Sequence, residues 1–161
     1  MRQNREMRRK DRLVTDRGWI DEILKRGTYL NLGLAASDGW PYIVPICYGY
    51  RDNVIYLHGA AKGMKTDILA ENRRACFQIT DASEVVRNPM PAEFSMKYRS
   101  VTGFGIVSAI TDAQEKTDAL NVIMDQYEGP HIEVKMVEKM GVWVARLDIE
   151  SVTGKNNNYP L

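Results

Sequence analysis

Short runs rich in Tyr, Ile and Val, separated by residues that favour tight turns, dominate the first half of the chain. Three such runs follow one another, "TYLNLGLAA", "WPYIVPICYGY" and "VIYLHGA", and the segments between them are "SDG" and "RDN". Each run has the length and composition of a β-strand, and each separator has the chemistry of a turn. This succession predicts a meander of antiparallel strands.

Two prolines, Pro41 and Pro45, lie inside the second run. Proline has no backbone N–H to donate to a ladder, so it is found at strand edges, bulges or ends. We therefore expect a bulged or partly unpaired strand here. Such a strand leaves backbone groups free to contact something other than a neighbouring strand.

Further elements follow from the spacing of apolar residues. Helical spacing predicts helices beginning near Thr15, Lys65 and Asp112, the last with a capping box completed by Glu115. Additional strands are predicted at "ACFQI", "YRSVTGFGIVSAI", "HIEVKMV" and "VWVARLDIESVTG". Segment 81–97 has two prolines and little periodicity, which predicts a loop that could act as a lid.

These elements define an architecture and bound where a ligand can bind. A chain of 161 residues suits one domain, with 1–14 as a basic N-terminal arm and 156–161 as a tail. Six or seven short strands and about three helices predict a small antiparallel β-barrel with peripheral helices. Because a barrel of this size fills its own interior, a ligand should lie outside the barrel or across an interface.

Charge and composition exclude several classes of protein. The 22 basic and 21 acidic residues nearly cancel, which argues against a protein that binds nucleic acid non-specifically. No segment approaches the roughly 20 apolar residues of a membrane span, and the start of the chain lacks the apolar stretch of a secretory signal. We therefore expect a cytoplasmic protein with no nucleic-acid or membrane partner.

The cysteines and histidines give no metal-binding pattern. Cys47 and Cys76 lie in apolar, strand-like runs, and neither has a second Cys or a His at ligand spacing. Buried, unreactive thiols are predicted at both positions. His58 and His131 are too isolated in sequence to indicate a zinc centre, and His131, beside Pro130, is interpreted as a loop residue.

The loop "GAAKG" joins a strand that ends at His58 to a helix that begins near Lys65. This geometry brings free backbone N–H groups and the positive end of the helix together, and Lys62 and Lys65 add two charges suited to a phosphate. The spacing does not match a Walker loop, which argues against an NTPase. An alternative interpretation is that Gly59 and Gly63 only allow the turn, while the lysines are solvated.

Several segments, in order along nearly the whole chain, carry a family resemblance. They are "MRRKDR", "YIVPICYGYRDNVIYLHGAAKGMK", "ENRRACF", "SVTGFG" and "SVTGK". Together they resemble the 5-nitroimidazole-resistance (Nim-type) flavoproteins of the pyridoxamine 5′-phosphate oxidase-like split-barrel superfamily. The resemblance implies a mainly β, antiparallel split barrel and a homodimer that binds FMN at the subunit interface.

The resemblance also implies individual cofactor contacts. The family's phosphate-contacting lysine precedes the Asn of an "EN" pair by seven residues, which matches Lys65 relative to Asn72. Met64 stands where the oxidases have an arginine, so Lys62 or the arginines Arg8 and Arg9 would supply the second charge. The full set of implied contacts is Val44, Pro45, Ile46, Cys47, His58, Gly59, Ala60, Lys62, Lys65, Ser100 and Lys155.

Three functions remain open from the sequence. The first is an FMN-dependent reductase of nitroaromatic or related small acceptors, with electrons from a nicotinamide or another donor. In it His58 would be the catalytic proton donor or charge stabiliser, although a packed structural histidine is the alternative. The others are a flavin-binding or flavin-sensing protein without turnover, and a haem-binding relative with His58 as axial ligand. Trp19 and Trp143 are interpreted as core or interface residues.

Overall fold

The structure is a computed structural model and describes residues 7–128 and 141–160. Its elements, in chain order, are β1 (Leu13–Val14), α1 (Arg17–Arg26), β2 (Leu30–Ala35), β3 (Pro41–Ile46), β4 (Tyr48–Arg51), β5 (Val54–Ala60), α2 (Met64–Glu71), β6 (Arg74–Val86), β7 (Ser95–Ala109), α3 (Ala113–Glu128) and β8 (Val142–Asn157). Single 3-10 turns lie at Lys10–Arg12 and Pro91–Glu93. The strand predicted at "HIEVKMV" and the loop histidine His131 lie outside the described residues.

One antiparallel sheet contains all the strands of the described residues. Its order is β3-β2-β6-β7-β8-β5-β4, with the two-residue β1 added on β8. The edge strands β3 and β4 are consecutive in the chain and meet at Cys47, so the sheet curls into a barrel that is split between them. The predicted antiparallel split barrel is confirmed, with the short β1 as one strand beyond the predicted six or seven.

The helices begin where the sequence predicts them. The Asp16 carboxylate accepts a hydrogen bond from the Trp19 backbone N–H at 2.7 Å, which caps α1. At the start of α3, the Asp112 carboxylate accepts a hydrogen bond from the Glu115 backbone N–H at 2.9 Å. The apolar stripe of α1 is buried against the sheet, which accounts for its helical spacing. No helix within the described residues is both long and apolar enough to cross a lipid bilayer.

The prolines of β3 explain its position at the edge of the sheet. In the β2–β3 ladder, Pro41 lies opposite Ala35 and Pro45 opposite Asn31. Alternate residues of a strand point their backbone groups to the same side, so both prolines are on the unpaired side, where a missing N–H costs no ladder bond. The predicted partly unpaired strand is confirmed, since β3 pairs with β2 alone.

Segment 81–97 is not the predicted loop. The β6–β7 ladder continues from Ala82 opposite Arg99 to Val86 opposite Ser95, which leaves only the tip unpaired. The ladder shifts register at Asp81, whose carboxylate forms a buried ion pair with Arg99 at 2.5 Å. The prediction is wrong because this hairpin is stabilised by backbone pairing and an ion pair, neither of which produces alternating hydrophobicity.

The ends of the described chain are also more ordered than predicted. Leu13 and Val14, assigned to the basic arm, form β1 on β8. At the other end, β8 extends into the predicted tail as far as Asn157, whose side-chain amide donates to the Met96 carbonyl. Both segments therefore pair with the barrel.

Helix α3 covers the free edge of β4. The Tyr48 backbone N–H donates to the Tyr127 hydroxyl at 3.1 Å, and the Tyr50 N–H donates to the Gln126 side-chain oxygen at 3.3 Å. Gly49 lies so close to α3 that a Cβ there would be 2.5 Å from the Val122 carbonyl oxygen. These contacts satisfy the edge and fix the β3–β4 junction at Cys47.

Candidate functional site

A cleft of about 360 Å³ opens between the free edge of β3, the end of β5 and the start of α2. Its lining residues are Tyr42, Val44, Pro45, Ile46, Cys47, His58, Gly59, Ala60, Lys62, Gly63, Met64 and Lys65. One wall is therefore an apolar strand edge, and the opposite wall is the glycine-bounded loop with Lys62 and the start of α2 with Lys65. Both walls come from segments that the sequence analysis singled out.

Most of the residues predicted to contact a cofactor lie together in this cleft. They are Val44, Pro45, Ile46, Cys47, His58, Gly59, Ala60, Lys62 and Lys65. Ser100 and Lys155 do not line it; they are opposite each other in the β7–β8 ladder. The contacts themselves stay predictions, and those of Ser100 and Lys155 require a ligand that reaches beyond this cleft.

The start of α2 presents unpaired backbone donors to the cleft. Gly63 precedes the helix with φ 127° and ψ 174°, a conformation that glycine adopts without strain. The first intrahelical bond runs from the Asp67 N–H to the Gly63 carbonyl at 3.1 Å, so the N–H groups of residues 64–66 have no helical acceptor. This end of the cleft is complementary to an anion.

Lys65 lies at this anion-complementary end without a carboxylate partner in the described residues. Its ammonium is 4.1 Å from the centroid of the Trp143 ring, and a Cβ at position 59 would be 2.6 Å from it. Burial lowers the pKa of Lys65 below its usual range. A bound anion would oppose this shift, because a nearby negative charge favours the protonated form.

The remaining cations named from the sequence lie in different places. Lys62 is exposed and lines the cleft. Arg9 is held by Asp11, with a hydrogen bond of 2.8 Å from its Nε. Neither Arg8 nor Arg9 lines the cleft of the single chain, so Lys62 is the second positive charge beside Lys65.

His58 is half-buried at the end of β5, opposite Val144 of β8. Burial lowers the pKa of His58, and the charge of Lys65 lowers it further. The imidazole is therefore neutral at pH 7, with one nitrogen as donor and the other as acceptor. A neutral His58 suits proton transfer at the cleft better than the role of a fixed positive charge.

The cysteine prediction is wrong for Cys47, which is exposed and lines the cleft. The apolar residues beside it in the sequence belong to β3 and β4, the two edge strands of the sheet. Cys47 lies at the point where the chain passes from one of these strands to the other. Cys76 is only half-buried, and its sulfur lies where a Cβ of Gly33 would be 2.5 Å away. Cys76 is not fully enclosed, because it lines the open groove on the outer face of β2, β3 and β6.

Around Ser100 and Lys155 lies a separate basic cluster. The Lys155 ammonium is 5.7 Å from the ring centroid of Tyr98. Burial raises the pKa of Tyr98, but hydrogen bonds with Lys155 and Arg12 outweigh it, so the net pKa lies below the usual value. Ser100 itself is buried, with 9% of its surface exposed.

A second, apolar groove of about 680 Å³ lies on the outer face of β2, β3, β6 and β7. Leu34, Tyr42, Ile43, Phe104 and Ile106 are among its lining residues. Ile43 is 68% exposed, and it lies among other apolar residues of this groove rather than alone on the surface. Because Tyr42 lines both the groove and the cleft, the two are neighbours across β3.

Sequence reasoning missed Tyr42 and the contact between Trp143 and Lys65. Tyr42 lies inside a run that was predicted as a strand, and nothing in the sequence distinguished it from the other apolar residues of that run. Trp143 packs against the core, as predicted, but its ring also supports Lys65. Only the pairing of β5 with β8, which places Gly59 opposite Trp143, reveals this second contact.

The fold and the cleft define a class of protein, the antiparallel split barrels with a lysine-bearing cleft beside the open edge. The sequence profile described as pyridoxamine 5′-phosphate oxidase matches residues 16–156. The chain therefore belongs to this family, and the family resemblance predicted from the sequence is confirmed.

Solved structures share the fold of this chain. A candidate 5-nitroimidazole antibiotic resistance protein from Bacteroides thetaiotaomicron is 27% identical with a TM-score of 0.78, covering 89% of this chain and 85% of that one. A flavocytochrome from Azotobacter vinelandii is 21% identical with a TM-score of 0.82, covering 96% and 73%. An FAD- and haem-binding protein from Mycobacterium smegmatis is 23% identical with a TM-score of 0.81, covering 92% and 74%. No protein with a curated function matches significantly.

Proposed function

We propose that this protein binds FMN in the cleft and reduces small nitroaromatic acceptors of the 5-nitroimidazole type. The observation that carries the proposal is the cleft itself, in which two lysines without a carboxylate partner among the described residues and the free N–H groups of α2 face an apolar strand edge. The similarity to the candidate 5-nitroimidazole resistance protein supports the choice of acceptor. The family match supports the choice of a flavin.

The residues of the cleft fit the chemical parts of FMN. Lys65, Lys62 and the N–H groups of residues 64–66 would hold the phosphate. The strand from Val44 to Cys47 offers an apolar wall for the ring, with backbone groups on its unpaired side for the polar ring edge. Gly59 keeps open the space that Lys65 occupies. When bound, FMN would supply the hydride or electrons for reduction.

The charged residues of the cleft also argue against a phosphorylated substrate. Lys62 and Lys65 are the cations among the residues that line the cleft, and the cofactor phosphate would engage both. Within the single chain, a second phosphate would then meet no unused charge among the residues that line the cleft. An uncharged acceptor such as a nitroimidazole fits this charge balance better than pyridoxamine phosphate does.

A second copy of the chain would complete this site. We propose a homodimer in which the apolar groove faces the partner and the flavin lies at the interface. The exposure of Ile43 and the position of Tyr42 between groove and cleft support this arrangement. In a dimer, Ser100 and Lys155 could reach the flavin from the partner, which would account for their distance from the cleft within one chain.

Replacement of Ile43 by aspartate is expected to convert the dimer into a monomer, because it would bury two unpaired charges at the interface. Sedimentation equilibrium should give twice the chain mass of 18.4 kDa for the wild type. It should give the mass of a single chain, 18.4 kDa, for the variant. Asp38→Asn, on the exposed β2–β3 turn, is the control and should stay dimeric. A monomeric wild type at micromolar concentration would contradict the dimer.

Replacement of His58 by alanine is expected to reduce the rate of nitro reduction by about 100-fold, the lower end for loss of a general acid–base group. FMN affinity should change by less than about threefold, since His58 is neutral and adds no charge to the phosphate site. Stopped-flow oxidation of the reduced protein by metronidazole would measure the first effect and equilibrium titration the second. Equal losses would make His58 a binding residue.

A nicotinamide is the proposed electron donor, and it would dock transiently because the sequence contains no dinucleotide-binding fingerprint. The proposed location is the cytoplasm, where reduced nicotinamides are available. A flavin-binding protein without turnover is the first alternative. Haem binding through His58 is the second, and the haem named for the relative from Mycobacterium smegmatis makes it worth testing by absorption spectroscopy.

A further inference from the structure

Trp143 and Gly59 face each other across the β5–β8 ladder, and the Lys65 side chain reaches from α2 to lie against both. We propose that Trp143 is a positioning residue, which with Gly59 holds the Lys65 ammonium in place for the phosphate of the cofactor. The inference rests on the proposed function, because it explains how the proposed phosphate site is organised before the ligand arrives.

Lysine needs such a support more than most phosphate-binding residues do. Its long side chain has many rotamers, and binding must overcome the loss of this rotamer entropy if the side chain is free beforehand. The indole ring, 4.1 Å from the ammonium, attracts the charge and restricts the chain beforehand. A Cβ at position 59 would be 2.6 Å from the nitrogen, so only glycine leaves room for this arrangement.

The chemical nature of the support is as important as its position. A carboxylate would also hold Lys65, but it would neutralise the charge and compete with the phosphate. An aromatic face attracts the ammonium without cancelling its charge. Lys65 has no carboxylate partner in the described residues, so its full charge is available to an anion.

A purely structural role for Trp143 must be distinguished, because its ring also packs against the core. Riboflavin separates the two roles, since it has the ring of FMN but no phosphate. If Trp143 acts through Lys65, its loss weakens FMN binding and leaves riboflavin binding nearly unchanged. If Trp143 only supports the fold, the two ligands are weakened together.

The first test is therefore a pair of titrations on the Trp143→Leu protein. We expect its dissociation constant for FMN to rise about 3- to 10-fold, the range of a half-buried cation–π contact, and that for riboflavin to rise less than about twofold. Trp143→Phe should lie between the variant and the wild type. Trp19→Leu, also a half-buried tryptophan packed on the core, is the matched control and should not change the ratio of the two constants.

Two further variants test the connection to Lys65. Gly59→Ala should show the same FMN-selective loss, because its Cβ would displace the ammonium. In the Lys65→Ala background, Trp143→Leu should cause no additional loss of FMN affinity. An additional loss as large as that in the wild-type background would overturn the proposal.

An NMR measurement without flavin tests the position of Lys65 independently of the proposed function. The ring current of Trp143 should shift the Lys65 ε-methylene protons upfield in the NMR spectrum, and Trp143→Leu should return them to their ordinary position. A shift present in a protein that binds no flavin would uphold the positioning and reject FMN as its ligand. Ordinary ε-methylene shifts in the wild type would overturn the positioning, whether or not FMN binds.

Discussion

Lys65→Ala is expected to weaken FMN binding by about 1.5–3 kcal/mol, or roughly 10- to 150-fold, the range for a hydrogen bond to a charged group. The loss should be large because Lys65 is half-buried, held by Trp143 and unpaired with any carboxylate of the described residues. Fluorescence titration of the apoprotein with FMN would measure it.

Lys62→Ala is the matched control, since it removes the same charge from the same cleft, in the loop just before α2. Lys62 is exposed, so solvent and salt should screen its contribution, and we expect a loss below about 1 kcal/mol. Riboflavin binding should be unaffected in both variants. Unchanged FMN affinity in Lys65→Ala would remove this residue from the phosphate site.

Gly49→Ala is expected to lower the free energy of unfolding by about 3 kcal/mol, the upper end for overpacking a core. The new Cβ would be 2.5 Å from the Val122 carbonyl oxygen and 2.7 Å from the Ile123 Cα. Both are backbone atoms, so the clash cannot be relieved by a rotamer change, and α3 must move away from β4. Urea unfolding followed by circular dichroism would measure the loss.

Gly18→Ala provides the control for this substitution. Its Cβ would make an ordinary contact of 3.5 Å with the Asp16 side chain, in the first turn of α1. Alanine is the better helix former, so we expect the control to be neutral or more stable by up to about 1 kcal/mol. If Gly49→Ala were as stable as this control, the close packing of α3 on the β4 edge would be incorrect.

The sequence predicted those features that depend on local chemistry. Turn residues and apolar periodicity indicated the meander, the Asp112 cap and the helix after the glycine-bounded loop. Pro41 and Pro45 indicated the unpaired edge that became one wall of the cleft. In each case the signal lies within a few residues of the feature that it specifies.

Features that depend on pairing between distant segments escaped prediction. The hairpin arm of β6 and β7 depends on its backbone ladder and on Arg99 pairing with Asp81. The exposure of Cys47 follows from the position of β3 and β4 at opposite edges of the sheet, which only the complete strand order determines. The support of Lys65 by Trp143 likewise joins two elements far apart in the chain.

The proposed reductase must bind FMN in the cleft and transfer electrons through it. This property can be tested with an anaerobic visible spectrum of the purified protein with FMN, recorded before and after NADPH and then after a nitroimidazole. We expect a protein-bound flavin spectrum that bleaches with NADPH and recovers when the nitro compound is added. A bound flavin that responds to neither reagent would contradict the reductase and favour a binding protein, and a Soret band in its place would favour haem.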